Sequence, residues 1–226
     1  RKLKQKLQET RFRQTERWGK YLFMGTKKGD WLVLHFGMTG FLKYYKNDEE
    51  APEHIRLLIL FSQNYRLAYD CQRKLGMISM TQNIQDFIER KGLGPDLYGK
   101  DVDEQDFIQL LENRRGTIKS ALMNQSLMAG LGNIYSDEVL FQAGIHPGSS
   151  VRKLSADQVS RIFYMIGEVI DTAIDARVQL DNFPGDYLIN YREPDASCPR
   201  CGGKIKKQTI ASRSSYLCNT HQKLID

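Results

Sequence analysis

The chain has 226 residues, 41% of them hydrophobic, and a formal net charge of +6. This composition supports a packed core and argues against disorder, and no apolar run reaches the ~18 residues that a transmembrane helix needs. Both ends are basic and the body is not: residues 1–20 carry +6 and residues 198–226 carry +5, which leaves −5 for residues 21–197. Such asymmetry favours a molecule that grips nucleic acid with particular elements.

The first part of the chain alternates strand-like segments with turns. The segments are rich in β-branched and aromatic residues, and Lys27–Asp30 and Gln63-Asn64 supply turn residues between them. Five strands are predicted, over residues 19–24, 31–36, 41–45, 54–61 and 65–69. Several short strands at near-regular spacing predict an antiparallel sandwich or barrel.

The periodicity becomes helical after about residue 82. Asp101 to Glu104 opens a predicted helix that runs to Asn113, and further helices are predicted over residues 117–123 and from Asn133 to about Ala143. A capping box starting at Ser155 opens a long helix. Its apolar stripe is predicted to be core: Val159, Ile162, Phe163, Ile166, Ile170, Ala173 and Ile174. Residues 178–197 are predicted to be a linker.

The last 29 residues contain two pairs of metal ligands with equal spacing. Cys198 and Cys201 form the first pair, and Cys218 and His221 follow after sixteen residues, which is room for a β-hairpin. Three thiolates and an imidazole favour one Zn²⁺ in a closed structural site. A chance cysteine cluster or a disulfide pair is the alternative. The intervening residues are basic, and a basic hairpin indicates a polyanionic partner.

The four cysteines and the N-terminus bear on the compartment. Three cysteines are assigned to metal and Cys71 is left over, which favours a reducing compartment over a disulfide framework. No apolar stretch follows the basic start, so no signal peptide is predicted. We therefore expect a cytoplasmic protein, nucleoid-associated if bacterial, that does not contact a membrane and acts as a monomer.

A Gly-x-Gly turn leads into the helix that begins at Asn133. Gly130 and Gly132 would expose backbone N–H groups at a helix N-terminus, which is a seat for a phosphate. Asn133 could cap the helix and donate its amide to the same phosphate, and Lys119 could converge there. A tight helix-turn-helix with glycines placed for packing explains the motif equally well.

Taken in order, the motifs resemble one family, the formamidopyrimidine-DNA glycosylase / endonuclease VIII (Fpg/Nei) family of base-excision repair enzymes. They cover essentially the whole chain: Gly19–Leu22, His35–Gly40, Arg73–Gly76, Ile118-Lys119, Gly130–Glu138, Ala143–Pro147 and the Cys198–His221 zinc motif. The resemblance implies an α+β protein. It would have an N-terminal antiparallel β-sandwich (1–82), a helical domain with a helix–two-turn–helix motif (83–190) and a zinc-bound β-hairpin (191–226).

The resemblance also implies roles in binding damaged double-stranded DNA, whose target base must leave the stack to be reached. Lys20 would assist β-elimination, and Arg213 would grip phosphates and support δ-elimination. Lys119 and Asn133 would hold phosphates. Met38, Arg73 and Leu75 would fill the gap left by the extruded base; for Met38 and Leu75 taken alone, core packing is the default.

Two histidines are treated more conservatively. His54 matches a DNA-contacting position of the family, although a solvated histidine at a strand edge is equally compatible with the sequence. His35 is expected to pack or to hydrogen-bond within the sheet rather than to act in catalysis.

Three departures from the family pattern stand out. Relatives begin with a Pro-Glu pair whose proline amine forms a Schiff base with the sugar, whereas the printed sequence starts at Arg1 and is expected to lack that nucleophile. Leu75 stands where many relatives have phenylalanine, and Cys71-Gln72 replaces Asp-Pro. His221 replaces the usual fourth cysteine.

The functional prediction is a glycosylase for oxidised bases, with associated AP-lyase activity in the complete protein. The sequence leaves open whether the base is an oxidised purine or an oxidised pyrimidine. The main alternative is a non-catalytic module that binds damaged DNA, and a zinc-ribbon RNA-binding protein is a weaker one.

Overall fold

The computed structural model describes residues 2–99 and 102–226. They form two compact units, one ending at Lys91 and the other beginning at Gly92. Within the described ranges, no helix is both long and apolar enough to cross a membrane. The predicted division after residue 82 falls before a helix that the structure groups with the first unit. The residues predicted as the helical domain and as the zinc hairpin lie mostly in the second unit, and their division into two domains stays a prediction.

The first unit is a sandwich of two antiparallel sheets, with strand orders β1-β2-β3-β7 and β4-β6-β5. Helix α1 (Lys2–Leu7) precedes the strands and helix α2 (Ile84–Lys91) follows them. The strand bounds are Phe12–Trp18 (β1), Tyr21–Thr26 (β2), Trp31–His35 (β3), Gly40–Lys46 (β4), Ile55–Leu60 (β5), Tyr65–Cys71 (β6) and Met77–Thr81 (β7). The predicted sandwich is confirmed, with β1 and β7 as additional strands.

The core of this unit follows from side-chain alternation along the strands. Leu34 of β3 packs between the sheets with Leu67 and Tyr69 of β6. Val33, its neighbour in the chain, points to the other face of its sheet and packs there against Phe87 of α2. Sheet β1-β2-β3-β7 is therefore covered on both faces, which explains why β3 is apolar at successive positions.

Four further helices build the second unit: α3 (Glu104–Leu111), α4 (Ile118–Met123), α5 (Asn133–Gln142) and α6 (Ala156–Asp175). Asp103 and Ser155 form capping boxes for α3 and α6, and the Thr117 side chain accepts the Ser120 N–H at the start of α4. Asp101, with which the sequence was expected to open α3, lies outside the described residues. Side-chain caps therefore mark the starts of α3, α4 and α6.

The long helix α6 buries most of its predicted stripe. Val159, Ile162 and Ile166 belong to the main apolar cluster of this unit. The prediction for Ile174 was wrong, because its side chain is 55% exposed, whereas Val169 is fully buried in its place. The stripe is rotated slightly relative to the one read from the sequence.

Residues 178–197 are packed rather than a free linker. They form short 3₁₀ helices at Leu180–Asn182 and Leu188–Tyr191. Phe183 is 6% exposed and Leu188 is fully buried. The segment leads into the hairpin of β8 (Lys206–Ile210) and β9 (Arg213–Leu217), whose turn residues Ala211 and Ser212 both have positive φ, 51° and 58°. Two positive φ values are typical of the tightest hairpin turn.

Candidate nucleic-acid interface and metal centre

Two adjoining loops of the first unit expose the side chains predicted to enter the DNA stack. Met38 is 70% exposed and Leu75 is 53% exposed, and Arg73, two residues before Leu75, is also exposed. Side chains with more than half of their surface in solvent are not packed in the core. The core-packing alternative for Met38 and Leu75 therefore does not hold.

The two loops are tied together at their base. The Arg73 N–H donates to the Thr39 hydroxyl at 3.3 Å. A Cβ on Gly37, whose φ is +62°, would lie 2.6 Å from the Leu75 carbonyl carbon. Glycine is thus required there by both conformation and space. The loop that carries Met38 can approach the loop that carries Leu75 only because Gly37 has no side chain.

Cys71 lies beneath this junction and is almost fully buried. Although burial raises the pKa of its thiol, contacts with the Gly76 N–H, the Tyr69 hydroxyl, the Leu75 N–H and the Thr39 hydroxyl lower the pKa overall. The sulfur therefore receives hydrogen bonds from groups of both loops.

Lys20 occupies the turn between β1 and β2, after Gly19, which has φ 54°. Its charge reaches His35: burial lowers the pKa of the His35 imidazole, and Lys20 and Lys91 lower it further. His35 Nδ1 accepts the Gly37 N–H at 3.1 Å. This agrees with the expectation that His35 makes hydrogen bonds locally, and it places a neutral imidazole beside Lys20.

His54 is partly exposed at the start of the β5 region. Its Nδ1 lies 3.8 Å from the Glu53 carboxylate, and its backbone carbonyl accepts the Cys71 N–H at 3.1 Å. Arg56, which the sequence analysis did not select, donates its Nε to the Cys71 carbonyl at 3.0 Å. His54 and Arg56 thus flank the strand end from which the Arg73 loop emerges.

The start of α5 differs from the sequence expectation. Gly132 is the N-cap, with no side-chain cap, and Asn133 is the first residue of the helix. The predicted capping by Asn133 was therefore wrong. Its Nδ2 instead donates to the Ser214 carbonyl at 2.9 Å. Its Oδ1 is buried and has no hydrogen-bond partner in the described part of the chain.

Lys119 is fully buried, which the phosphate assignment did not anticipate. Its ammonium lies 2.6 Å from Asp137 Oδ1 and 2.5 Å from the Ser215 hydroxyl. Burial lowers the pKa of Lys119, and the Asp137 carboxylate opposes that shift. In this conformation the charge is paired inside the protein and is not available to a phosphate. A lysine at this spacing is read as a surface ligand only because sequence does not reveal its buried partner.

Arg213, in contrast, is exposed at the first position of β9, directly after the two-residue turn and opposite Ile210. The next two residues, Ser214 and Ser215, contact Asn133 of α5 and Lys119 of α4 through the hydrogen bonds just described. The hairpin therefore presents Arg213 on the same unit as the exposed start of α5.

The three cysteines of the zinc motif meet at one point. The Cys198, Cys201 and Cys218 sulfurs all lie within 4.8 Å of one another, and the last two are 3.5 Å apart. Tetrahedral zinc with Zn–S bonds of about 2.3 Å needs sulfurs roughly 3.8 Å apart, so the donor set fits. Burial raises the pKa of the Cys198 thiol to about 11, so a cation is needed to hold all three as thiolates.

His221 is not brought into that group. Its Nε2 lies 2.8 Å from the Phe141 carbonyl, and its ring packs on the Phe141 ring at 4.7 Å. A carbonyl can only accept, so Nε2 carries the proton and Nδ1 keeps its lone pair. Such a hydrogen bond is the usual partner of a metal-binding imidazole. The assignment of His221 as the fourth ligand stays a prediction.

Residues 1–78 match the formamidopyrimidine-DNA glycosylase N-terminal domain, residues 93–181 match its H2TH domain, and residues 198–220 match a zinc finger found in FPG and IleRS. The formamidopyrimidine-DNA glycosylase of Thermomicrobium roseum is 34% identical, over 92% of this chain and 81% of that protein. The protein of that name from Herpetosiphon aurantiacus is 30% identical, over 93% and 81%.

Solved structures agree. The Lactococcus lactis FPG (MutM) in complex with DNA containing FAPY-dG is 30% identical, with a TM-score of 0.86, and the match covers 98% of this chain and 86% of that one. A MutM complex with DNA containing carbocyclic 8-oxo-G gives 30% identity, a TM-score of 0.84 and coverages of 98% and 85%.

Fold, sequence and metal centre together define a zinc-containing DNA glycosylase of base-excision repair. The chain belongs to the formamidopyrimidine-DNA glycosylase family. The predicted family and the single structural zinc are confirmed, and nothing in these relatives favours the non-catalytic binding module.

Proposed function

We propose that the protein binds duplex DNA at an oxidised or ring-opened purine and fills the position of the extruded base with Met38, Arg73 and Leu75. The observation that carries this proposal is the exposure of Met38 and Leu75 on two loops joined at their base. A thioether and an aliphatic side chain beside a guanidinium suit an unstacked base step. The purine class follows the FAPY-dG and 8-oxo-G lesions named for the similar complexes.

The other parts of the site bind backbone phosphates or assist elimination. Arg213 grips a backbone phosphate from the exposed hairpin turn, and the uncapped start of α5 offers N–H groups to a second phosphate. Lys20 lies at the reacting sugar and supports β-elimination, with the neutral His35 holding the adjacent loop through Gly37. In the complete protein the glycosylase also acts as an AP lyase: Lys20 and Arg213 assist β- and δ-elimination once an amine nucleophile has formed a Schiff base with the sugar.

The zinc is structural and takes no part in the chemistry. Cys198, Cys201 and Cys218 hold it together with His221 Nδ1, and it keeps the hairpin that carries Arg213 folded. The protein works in a reducing compartment, because the zinc ligands must remain thiolates. It works as a monomer, and light scattering at micromolar concentration should give the molar mass of one chain.

The test compares binding to a duplex with an abasic-site analogue and to the same duplex undamaged. Met38→Ala and Leu75→Ala should each weaken binding to the abasic-analogue duplex by about tenfold. Binding to the undamaged duplex should stay unchanged, because intact DNA has no gap for these side chains to fill. Equal losses on both duplexes would overturn the wedge assignment. Formamidopyrimidine and thymine-glycol duplexes, compared in the same assay, decide the lesion class.

A salt titration separates the phosphate contacts. Arg213→Ala should lower the slope of log K against log[salt] by about 0.9, the loss of one phosphate contact. Asn133→Ala should reduce affinity with little change in slope, because an amide carries no charge. Arg161→Ala, which removes a charge from the exposed face of α6, is the matched control and should leave binding unchanged. An unchanged slope in Arg213→Ala would remove that residue from the interface.

A further inference from the structure

Asp137 is a buried carboxylate that the sequence motifs do not select for chemistry. It is 1% exposed, yet three donors converge on it. Lys119 Nζ lies 2.6 Å from Oδ1, the Arg192 guanidinium lies 2.9 Å from Oδ2, and the Tyr216 N–H reaches Oδ2 at 3.2 Å. The three donors come from α4, from the segment that follows α6, and from β9. One side chain of α5 thus joins three parts of the unit.

Further contacts of the same groups hold β9, the strand that carries Arg213. Lys119 also donates to the Ser215 hydroxyl, and Asn133 donates to the Ser214 carbonyl at 2.9 Å. The Arg192 guanidinium stacks on the Tyr216 ring, 4.7 Å from its centroid. The three residues that follow Arg213 are therefore fixed by side chains of the helical region as well as by pairing with β8.

Energetics indicate that this network sets position rather than bulk stability. The desolvation cost of buried ionic groups cancels much of the free energy gained from their attraction. An apolar cluster of the same volume often stabilises the fold equally well. An apolar cluster, however, tolerates sliding. The Tyr216 backbone N–H on Asp137, together with the Ser215 hydroxyl on Lys119, opposes a slip of β9 by one residue, which would move every side chain of the strand to the opposite face.

We propose that Asp137 is a positioning residue for Arg213: it locks β9 in register against α5, so that the guanidinium is held ready for a phosphate. The inference rests on the proposed function of Arg213. Asp137 itself does not touch DNA. Asp137→Asn keeps the shape of the side chain but places an amide N–H₂ where donors already point, so at least one of the three contacts is lost.

The matched control is the next residue. Glu138 is equally buried, but it accepts N–H groups from Leu188 at 3.0 Å and Ile189 at 2.7 Å, and in the described part of the chain none of its side-chain hydrogen bonds reaches β9. Glu138→Gln therefore imposes a similar loss on a buried carboxylate without loosening the hairpin. Ser215→Ala, which removes only the Lys119 acceptor, is a milder variant should Asp137→Asn fold poorly; zinc content identifies folded samples.

The first measurement is a double-mutant cycle on the abasic-analogue duplex with full-length chain. Asp137→Asn and Arg213→Ala should each lose about tenfold in affinity, and combining the two should add little further loss. Glu138→Gln should bind like wild type and combine additively with Arg213→Ala. Full additivity of Asp137→Asn with Arg213→Ala, or no loss in Asp137→Asn, overturns the proposal.

The second measurement does not depend on DNA. Hydrogen exchange of the Tyr216 amide should accelerate by about tenfold or more in Asp137→Asn and remain slow in Glu138→Gln. Unchanged exchange in Asp137→Asn overturns the positioning role, whatever the binding result. Accelerated exchange in Asp137→Asn together with unchanged DNA binding by Arg213→Ala would refute the phosphate role of Arg213. The effect of Asp137 on the position of β9 would still stand.

Discussion

Replacing Lys119 by methionine distinguishes a buried structural charge from a phosphate ligand. The ammonium is fully buried, 2.6 Å from Asp137. Removing one member of a buried pair costs about 3–5 kcal/mol when the other charge is stranded. Here Asp137 retains the Arg192 guanidinium and the Tyr216 N–H. We therefore place the loss of unfolding free energy below that range, at about 2–3 kcal/mol.

The assay for this prediction has two arms. For a chain of this size, such a loss lowers the melting temperature of the second unit by roughly 4–12 °C, which a thermal melt followed by circular dichroism resolves. The slope of log K against log[salt] for DNA binding should change by much less than the ~0.9 expected for a lost phosphate contact, because a charge already paired inside the protein releases no counterion. Arg161→Met, on the exposed face of α6, is the control and should leave the melting temperature unchanged. A slope reduced by ~0.9 with an unchanged melting temperature would refute this reasoning.

Three further predictions concern the metal and the first unit. One zinc per chain should be found by elemental analysis and lost from a Cys198→Ser/Cys218→Ser double variant, and chelation should abolish DNA binding while most helical ellipticity remains; zinc retained in the double variant would contradict the ligand set. The His35 imidazole should titrate below the ordinary value of about 6.5, so that its contribution to stability is present above that pH and is lost as pH falls through the lower folded value. Lys20→Ala should raise the His35 pKa in an NMR titration, and a pKa that does not move would separate the two residues. Cys71→Ala should weaken abasic-duplex binding while Cys71→Asp retains it, because either a sulfur or a carboxylate can accept the Leu75 and Gly76 N–H groups. Equal binding by both variants would exclude a role of Cys71 in holding this loop.

The extent to which sequence predicted the fold depends on how local each signal is. The capping box at Ser155 and the cap at Thr117 marked helix starts correctly because both act within one helical turn. Strands β1 and β7 and helix α2 were not predicted; β7 is placed by pairing with β3, and α2 by packing of Phe87 on Val33, and neither contact is local in the sequence. The exposure of Ile174 likewise depends on where neighbouring helices end, which periodicity does not encode.

The same distinction applies to the site. The cysteine spacing located the metal because both ligand pairs are local. Lys119 was predicted as a phosphate ligand, whereas its side chain is paired inside the protein with Asp137, eighteen positions away, and with Ser215, ninety-six away. Arg192 carried no motif at all. A charge in the interior signals a nearby counter-charge, yet only the three-dimensional arrangement identifies which residue provides it.

The contacts of β9 bear on how this protein could be recombined with its relatives. The zinc finger is matched as a segment of its own, residues 198–220, and so looks transplantable. Two of its contacts with α5, the Tyr216 N–H on Asp137 and the Ser214 carbonyl on Asn133, use backbone groups that any donor hairpin would bring with it. The Ser215 hydroxyl is a side-chain contact and would not be supplied by an arbitrary donor. A chimera would therefore graft cleanly only when the donor hairpin carries a small hydroxyl at that one position, or when Lys119 is exchanged along with it.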